Sequence, residues 1–285
     1  MLEYPFTPAD KIAFSIGPFH IGEWSLGPID VHWYGIMYLL GFIAAVVLAR
    51  IRAARPGSTW KPVDVEDLIF FCALGVIFGG RIGWLIVYGH ETVAEDWHNI
   101  YRIWKGGMSF HGALVAVLIA MWLFAKRRGR NVVDVFDFTA PLPCLGLFFG
   151  RVGNFINGEL WGKPTNLPWG FRVNNEVLHP TQLYEALLEG LVMFAVLWVY
   201  TRKPRPRLAP TGLFLLLYGL FRTAVEFVRV PDANMGDHGY VAWGWLTTGQ
   251  ILSLPMWIAG IVLLIVAYRR NQLSGNYAPS ASAAQ

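Results

Sequence analysis

Gly150-Arg151-Val152-Gly153-Asn154-Phe155-Ile156-Asn157-Gly158-Glu159-Leu160-Trp161-Gly162 closes an apolar run that begins near Val133. An arginine, two amides and a carboxylate thus sit at the end of a helix built otherwise of hydrocarbon. Polar and ionisable groups at membrane depth are costly and mark function. The stretch reads as the end of a membrane-spanning helix, with a site at one face of the bilayer.

The remaining composition agrees. Hydrophobic residues make up 55% of the chain and charged residues 15%, against roughly 25% charged in an average soluble domain. Trp 13, Tyr 11 and Phe 19 supply many aromatics of the kind that gather at membrane interfaces. Several apolar runs approach the ~20 residues of a spanning helix, which argues against the alternative of a greasy soluble protein. Cys72 and Cys144 lie inside apolar runs and read as space-filling thiols. Neither has a His/Cys cluster at ligand spacing, so no metal is expected. No basic N-terminal region precedes a small-residue cleavage site, and the first span is expected to do the targeting.

Seven segments read as spanning helices: about Val31 to Ala49, Val65 to Val87, Ser109 to Ala125, Val133 to Ile156, Gln182 to Tyr200, Leu213 to Val228 and Leu246 to Tyr268. Pro141 and Pro143 predict a kink in the fourth. Arg50, Arg52, Arg55 and Lys61 fill the first connection, Lys126-Arg127-Arg128-Gly129-Arg130 the third, and Arg202, Lys203, Arg205 and Arg207 the fifth. Glu91, Glu95 and Asp96 lie in the second, and Asp232 and Asp237 in the sixth. By the positive-inside rule the C-terminus is cytoplasmic and the N-terminus outside. The expected fold is an all-α integral membrane protein. It has one polytopic domain over residues 1–270, a small outer-face cap at about 157–181, and a disordered polar tail at 271–285. The proline- and glycine-broken residues 1–28 either lie flat at the outer interface and gate a site or simply pack on the surface.

Polar residues converge at the outer depth. His32 and Tyr34 open the first span, Arg81 lies in the outer half of the second, and His111 opens the third. Arg151, Asn154, Asn157 and Glu159 close the fourth, while His179, Gln182, Tyr184 and Glu185 open the fifth. Arg222 and Glu226, four apart on one face of the sixth, complete the set. Each has a blander reading. Arg222 and Glu226 can be an internal ion pair, Arg151 a headgroup contact, Tyr34 a belt aromatic, and His32 a locally bonded interfacial histidine. Asp134 and Asp137 are expected to cap or pair with the basic third connection. Gly150, Gly153, Gly158 and Gly162 permit close backbone approach, and peptide N–H groups where the helix ends can point at a phosphate.

These blocks closely resemble the bacterial phosphatidylglycerol–prolipoprotein diacylglyceryl transferase family. The resemblance rests on residues 150–162 together with His32-Trp33-Tyr34-Gly35, Gly107-Met108-Ser109-Phe110-His111-Gly112, His179-Pro180-Thr181-Gln182-Leu183-Tyr184-Glu185, and Tyr218-Gly219-Leu220-Phe221-Arg222 followed by Glu226. It spans essentially the whole chain. It implies transfer of the sn-1,2-diacylglyceryl group of phosphatidylglycerol to the lipobox cysteine of a prolipoprotein, with release of glycerol 1-phosphate. This is the first step of lipoprotein maturation, at a site on the periplasmic face of the inner membrane. It also implies that Tyr34, Asn154 and Gly162 match required residues, that Arg151, Glu159, Arg222 and Glu226 match important ones, and that His111 matches a histidine argued to be the base.

The inventory suits such chemistry. Arg151 and Arg222 can stabilise the charge growing on phosphate, with Glu159 and Glu226 orienting them. His111 is the preferred general base for the substrate thiol, with His32 or an unassisted thiolate still open. Asn154, Gly162, His32, Asn157, Gln182 and Tyr184 are expected to bind substrate beside the two arginines. No cofactor, metal or nucleic-acid partner is expected. The expected partners are phosphatidylglycerol, the prolipoprotein signal peptide and membrane lipids; the oligomeric state is open, a monomer included. A lipid or anion transporter, a precursor-binding scaffold, or another headgroup-processing enzyme are the alternatives. A transporter needs a polar path through inner helix halves that hold almost no polar residues.

Overall fold

The computed structural model describes residues 1–285 except 8, 23, 103–105, 231–239, 243–245 and 279–285. Helices form at all seven expected places: α1 Trp33–Ala53, α2 Pro62–Val87, α3 Phe110–Arg127, the pair α4 Val132–Thr139 and α5 Pro143–Asn157, α6 Thr181–Tyr200, α7 Ala209–Glu226 and α8 Thr248–Arg270. Five of the described helices are long and apolar enough to cross a membrane, or six if α4 and α5 form one broken span. The chain is a largely α-helical, multi-pass membrane protein. α7 is 18 residues long and stands outside that set; Arg222 and Glu226 fall in its last turns. The fourth segment breaks where a kink was expected, because Pro141 and Pro143, within four residues of Thr139, remove two helix donors.

By packing, the chain divides into two units, where the sequence reads as one domain: Met1–Ala45 with Thr139–Gln272, and Val46–Phe138 with Leu273–Gln285. In the first unit, α1 begins at Trp33 because Ile29–His32 (β5) pairs antiparallel with Ile12–Ile16 (β2). Phe14, Ile16 and Phe19 are exposed on this N-terminal segment. Leu2–Glu3 (β1) joins a small sheet with Phe171–Val173 (β6) and Glu176–Leu178 (β7). Cys144, Met193 and Leu197 are fully buried and packed against Leu147, Phe194, Leu217 and Phe221. α7 and α8 approach through glycines: a Cβ on Gly260 would lie 2.5 Å from the Leu216 backbone nitrogen. Both cysteines are free thiols.

In the second unit, Trp60 stacks on Phe138 at 3.8 Å between centroids and under the Arg130 guanidinium at 4.3 Å. Gly75, Gly79 and Gly83 of α2 pack on Gly112 and Ala116 of α3, so this small-residue run joins helices within the chain. Arg128 and Arg130 of the third connection pair with Asp64, and Arg128 also with Asp67. Asp134 receives bonds elsewhere, from Ser274 at 2.9 Å and, on its carbonyl, from Asn276 at 2.7 Å. Residues 271–278 are therefore not a disordered tail: Ser274 and Asn276 are buried, because their polar groups satisfy Asp134 and the Trp60 indole. Residues 279–285 lie outside the described set. Arg81, counted among the outer polar residues, is spent on the carbonyls of Asn99, Ile100, Gly106 and Gly107 and so staples the second connection.

Asn276 accepts the buried Trp60 Nε1–H at 2.7 Å. Asn276→Ala orphans that donor and is expected to cost about 1–3 kcal/mol, read as a lowered thermal unfolding midpoint in detergent.

Candidate active site

The first unit places a buried carboxylate among guanidinium groups. Glu185, 1% exposed, lies on α6 with its Oε2 2.5 Å from Arg151 Nε and its Oε1 2.5 Å from Arg222 Nη1. Arg222 Nη2 meets Glu226 Oε2 at 3.1 Å. Arg229, just past α7, comes within 3.9 Å of Glu185 and 3.8 Å of Glu226. Thr247 donates its hydroxyl to Glu226 Oε1 at 2.9 Å. A Cβ on Gly249 would stand 2.6 Å from that carboxylate, so glycine admits it. Breaking a buried pair leaves an uncompensated charge, which is why these groups hold α5, α6 and α7 together.

The two arginines differ. Arg222, with 13% of its side chain exposed, is held between two carboxylates. Arg151 is 21% exposed. It commits Nε to Glu185 and reaches Asn154 Oδ1 through Nη1 at a long 3.4 Å. Its Nη2 edge meets no described acceptor and can serve an anion. α5 stops at Asn157, and the Gly158 (φ +70°) and Glu159 N–H groups return to carbonyls of its last turn. This is a C-terminus, which presents carbonyls, so those two N–H groups are not available to a phosphate. The Tyr4 hydroxyl closes two of those carbonyls, Phe155 at 2.9 Å and Ile156 at 2.8 Å, and burial raises its phenol above the ordinary value.

Glu159 does not orient an arginine as expected. It accepts from Asn154 Nδ2 at 3.3 Å and Asn157 Nδ2 at 3.2 Å, so it positions amides; Glu185 takes the arginine. Buried Gln182 donates to the Glu159 carbonyl, and Thr181 to the Leu160 carbonyl at 2.6 Å. Gly162 N–H donates to the His179 carbonyl at 2.8 Å, and a Cβ there would strike the Val228 carbonyl oxygen at 2.5 Å. Tyr34 packs on Gly153 of α5, its ring 2.9 Å from where a Cβ would stand. His32 is exposed at the end of β5. His111 belongs to the second unit, exposed in the first turn of α3 behind the Ser109 cap.

Tyr184 bridges Trp169 Nε1 at 2.9 Å and His179 Nδ1 at 3.1 Å. Indole only donates, so the Tyr184 hydroxyl accepts from it and keeps its own proton to offer to His179 Nδ1. Burial lowers the His179 pKa below its ordinary value.

Sequence reasoning mentions Glu185 only at the start of a span, and passes over Glu189 and Arg229. The available signal was spacing: Glu185 and Glu189 are four apart, as are Arg222 and Glu226, with Arg229 three residues further on.

The chain is thus a multi-pass membrane protein with a buried arginine–carboxylate cluster. The family model described as prolipoprotein diacylglyceryl transferase matches residues 22–266. A phosphatidylglycerol–prolipoprotein diacylglyceryl transferase of Ectopseudomonas mendocina is 50% identical over 95% of this chain and 98% of its own. Proteins of the same name from Solidesulfovibrio magneticus (51%, over 84% of this chain and 91% of its own) and Oleidesulfovibrio alaskensis (48%, 95% and 97%) are also similar. The chain belongs to the prolipoprotein diacylglyceryl transferase family.

Glu185→Ala is expected to destabilise the protein by about 3–5 kcal/mol and to abolish activity, measured as unfolding midpoint and turnover. The depressed His179 value gives stability that is full above 6.5 and lost as pH falls through its lower folded value. His179→Gln, which removes the titrating group, is expected to flatten that acid-side loss in unfolding midpoints measured against pH.

Proposed function

We propose that the chain transfers the sn-1,2-diacylglyceryl group of phosphatidylglycerol to the lipobox cysteine thiol of a prolipoprotein. The thiolate sulfur attacks the glycerol C3 carbon, a thioether S–C bond forms, and the C–O bond to phosphate breaks. The thiol proton goes to a base, and glycerol 1-phosphate leaves. The observation that carries this reading is Arg151: a guanidinium locked by Nε to a buried carboxylate, with its outer edge uncommitted among the described residues.

In this reading Arg151 grips a phosphate oxygen and keeps its grip as the diester becomes a more highly charged monoester. Stabilisation of growing charge by a preorganised donor accelerates the step. Arg222 supplies field from behind, its geometry set by Glu185 and Glu226. Asn154, Asn157 and Tyr34 offer neutral hydrogen-bonding groups to the headgroup. Glu159 orients the two amides. Gln182, Tyr184 and Gly162 hold the cap backbone close to the site. His111 is the general base, and His32 binds at the entrance. The chain crosses the inner membrane seven times with its N-terminus outside, and the arginine site opens to the periplasmic leaflet. Alternating basic connections support that orientation. Both substrates enter sideways from the lipid.

Purified protein, phosphatidylglycerol labelled in its acyl chains and a lipobox peptide are expected to yield labelled peptide and glycerol 1-phosphate. A serine-for-cysteine peptide is expected to stay unlabelled. Label on both peptides, or on neither, overturns the reading. His111→Gln is expected to lower turnover by about 100-fold or more while phosphatidylglycerol binding stays intact; wild-type turnover in a folded variant removes His111 from the base role.

A further inference from the structure

We infer that the outer cavity between the N-terminal segment and α1 and α5 seats the peptide substrate. The stretch ahead of the substrate cysteine pairs as an extended strand on the open edge of β2 and buries an apolar side chain in the cavity. This rests on a prolipoprotein being the acceptor. The cavity lies wholly within the first unit and measures about 520 Å³, inside the roughly 300–1,000 Å³ range of ligand pockets. Phe6 and Ala9 of the N-terminal segment, Ile12 of β2, Trp33 and Met37 of α1 and Ile156 of α5 wall it. The wall adjoins the proposed site. Met37 Cβ and the Tyr34 ring lie 3.5 and 2.9 Å from where a Cβ on Gly153 would stand, and Ile156 is two residues past Asn154. Tyr4 pins the N-terminal wall in place through its bonds to the Phe155 and Ile156 carbonyls.

The backbone beside the cavity favours a peptide over a lipid tail. β2 and β5 form a ladder of two strands, so each keeps one edge without a backbone partner among the described residues. Phe14, Ser15 and Ile16 of β2 are exposed. An extended peptide satisfies such an edge strand to strand, whereas an acyl chain carries no group to bond it. Ile12 belongs both to β2 and to the cavity wall, so a strand laid on this edge places a side chain at the cavity. Charge favours the same occupant. Asp10 stands exposed in the cavity lining. It accepts from the Thr7 hydroxyl at 2.7 Å and the Thr7 N–H at 2.6 Å, and these bonds hold its carboxyl below the ordinary value. A fixed negative charge repels an anionic phospholipid headgroup and does not repel uncharged apolar residues. The acidic rim thus leaves the cavity to the peptide, while the phosphate belongs with Arg151.

The test is the transfer assay on the full-length protein, with KM measured separately for the lipobox peptide and for phosphatidylglycerol. Ala9→Phe narrows the cavity from an exposed position. It is expected to raise KM for the peptide by about tenfold or more and to leave that for phosphatidylglycerol unchanged. Alanine in place of each apolar residue ahead of the cysteine, one at a time, is expected to find a position where the wild-type KM rises likewise. At that position Ala9→Phe is expected to show no further rise, because both changes empty the same contact. With wild-type protein, a peptide N-methylated at one backbone amide of this stretch is expected to bind more weakly, since a strand donor is lost; this arm stands even if Ala9→Phe does not fold. A raised KM for phosphatidylglycerol with an unchanged peptide value makes the cavity an acyl-chain seat and overturns the inference. Two unchanged values overturn it as well, as does indifference to N-methylation at every amide of the stretch. Wild-type protein that labels no peptide overturns the transferase reading, and the inference falls with it; transfer with the wrong KM pattern overturns the inference alone.

Discussion

One buried carboxylate organises this protein. Glu185 is almost fully withdrawn from solvent and meets two arginines brought in by two other helices. None of these groups is tolerable alone in an apolar interior, where an unpaired charge costs several kcal/mol. Their mutual need fixes how α5, α6 and α7 meet. Glycines do the rest: Gly249 admits the Glu226 carboxylate, Gly162 lets the cap backbone approach Val228, and Gly153 takes the Tyr34 ring.

The same network divides labour between arginines that look alike in sequence. Arg222 is saturated by Glu185 and Glu226, so its orientation is rigid and its charge reaches the site as field. Arg151 is anchored at one edge and open at the other. A guanidinium suits that division because its planar fork binds on two edges independently. Around it, Glu159, Asn154, Asn157 and Gln182 form a polar shelf whose members satisfy one another.

Much of this was legible beforehand. Apolar runs located the long helices, and the motif from Gly150 to Gly162 marked where polar groups gather. The errors have physical causes. Helix α1 starts at Trp33, close to the expected start, but the strand Ile29–His32 before it pairs with Ile12–Ile16, a pairing between segments that local composition does not encode. Residues 271–278 read as a polar tail because polarity alone looks like disorder. Here the polar groups are used, on Asp134 and the Trp60 indole. Glu159 was paired with an arginine because opposite charge favoured Arg151, eight residues away, over the nearer amides it meets.

The sequence by itself determined the membrane class, the long helical segments and the family. Those follow from composition, periodicity and contiguous motifs, all of which are local. Only the tertiary structure decided that Glu185 is the hub, that Glu189 stands buried and without a hydrogen-bond donor among the described residues, and that Arg151 is the arginine with an open edge. Those are matters of which charge finds which partner across helices far apart in the chain. In a low-dielectric interior that choice depends on ångström distances, which spacing along one helix does not specify.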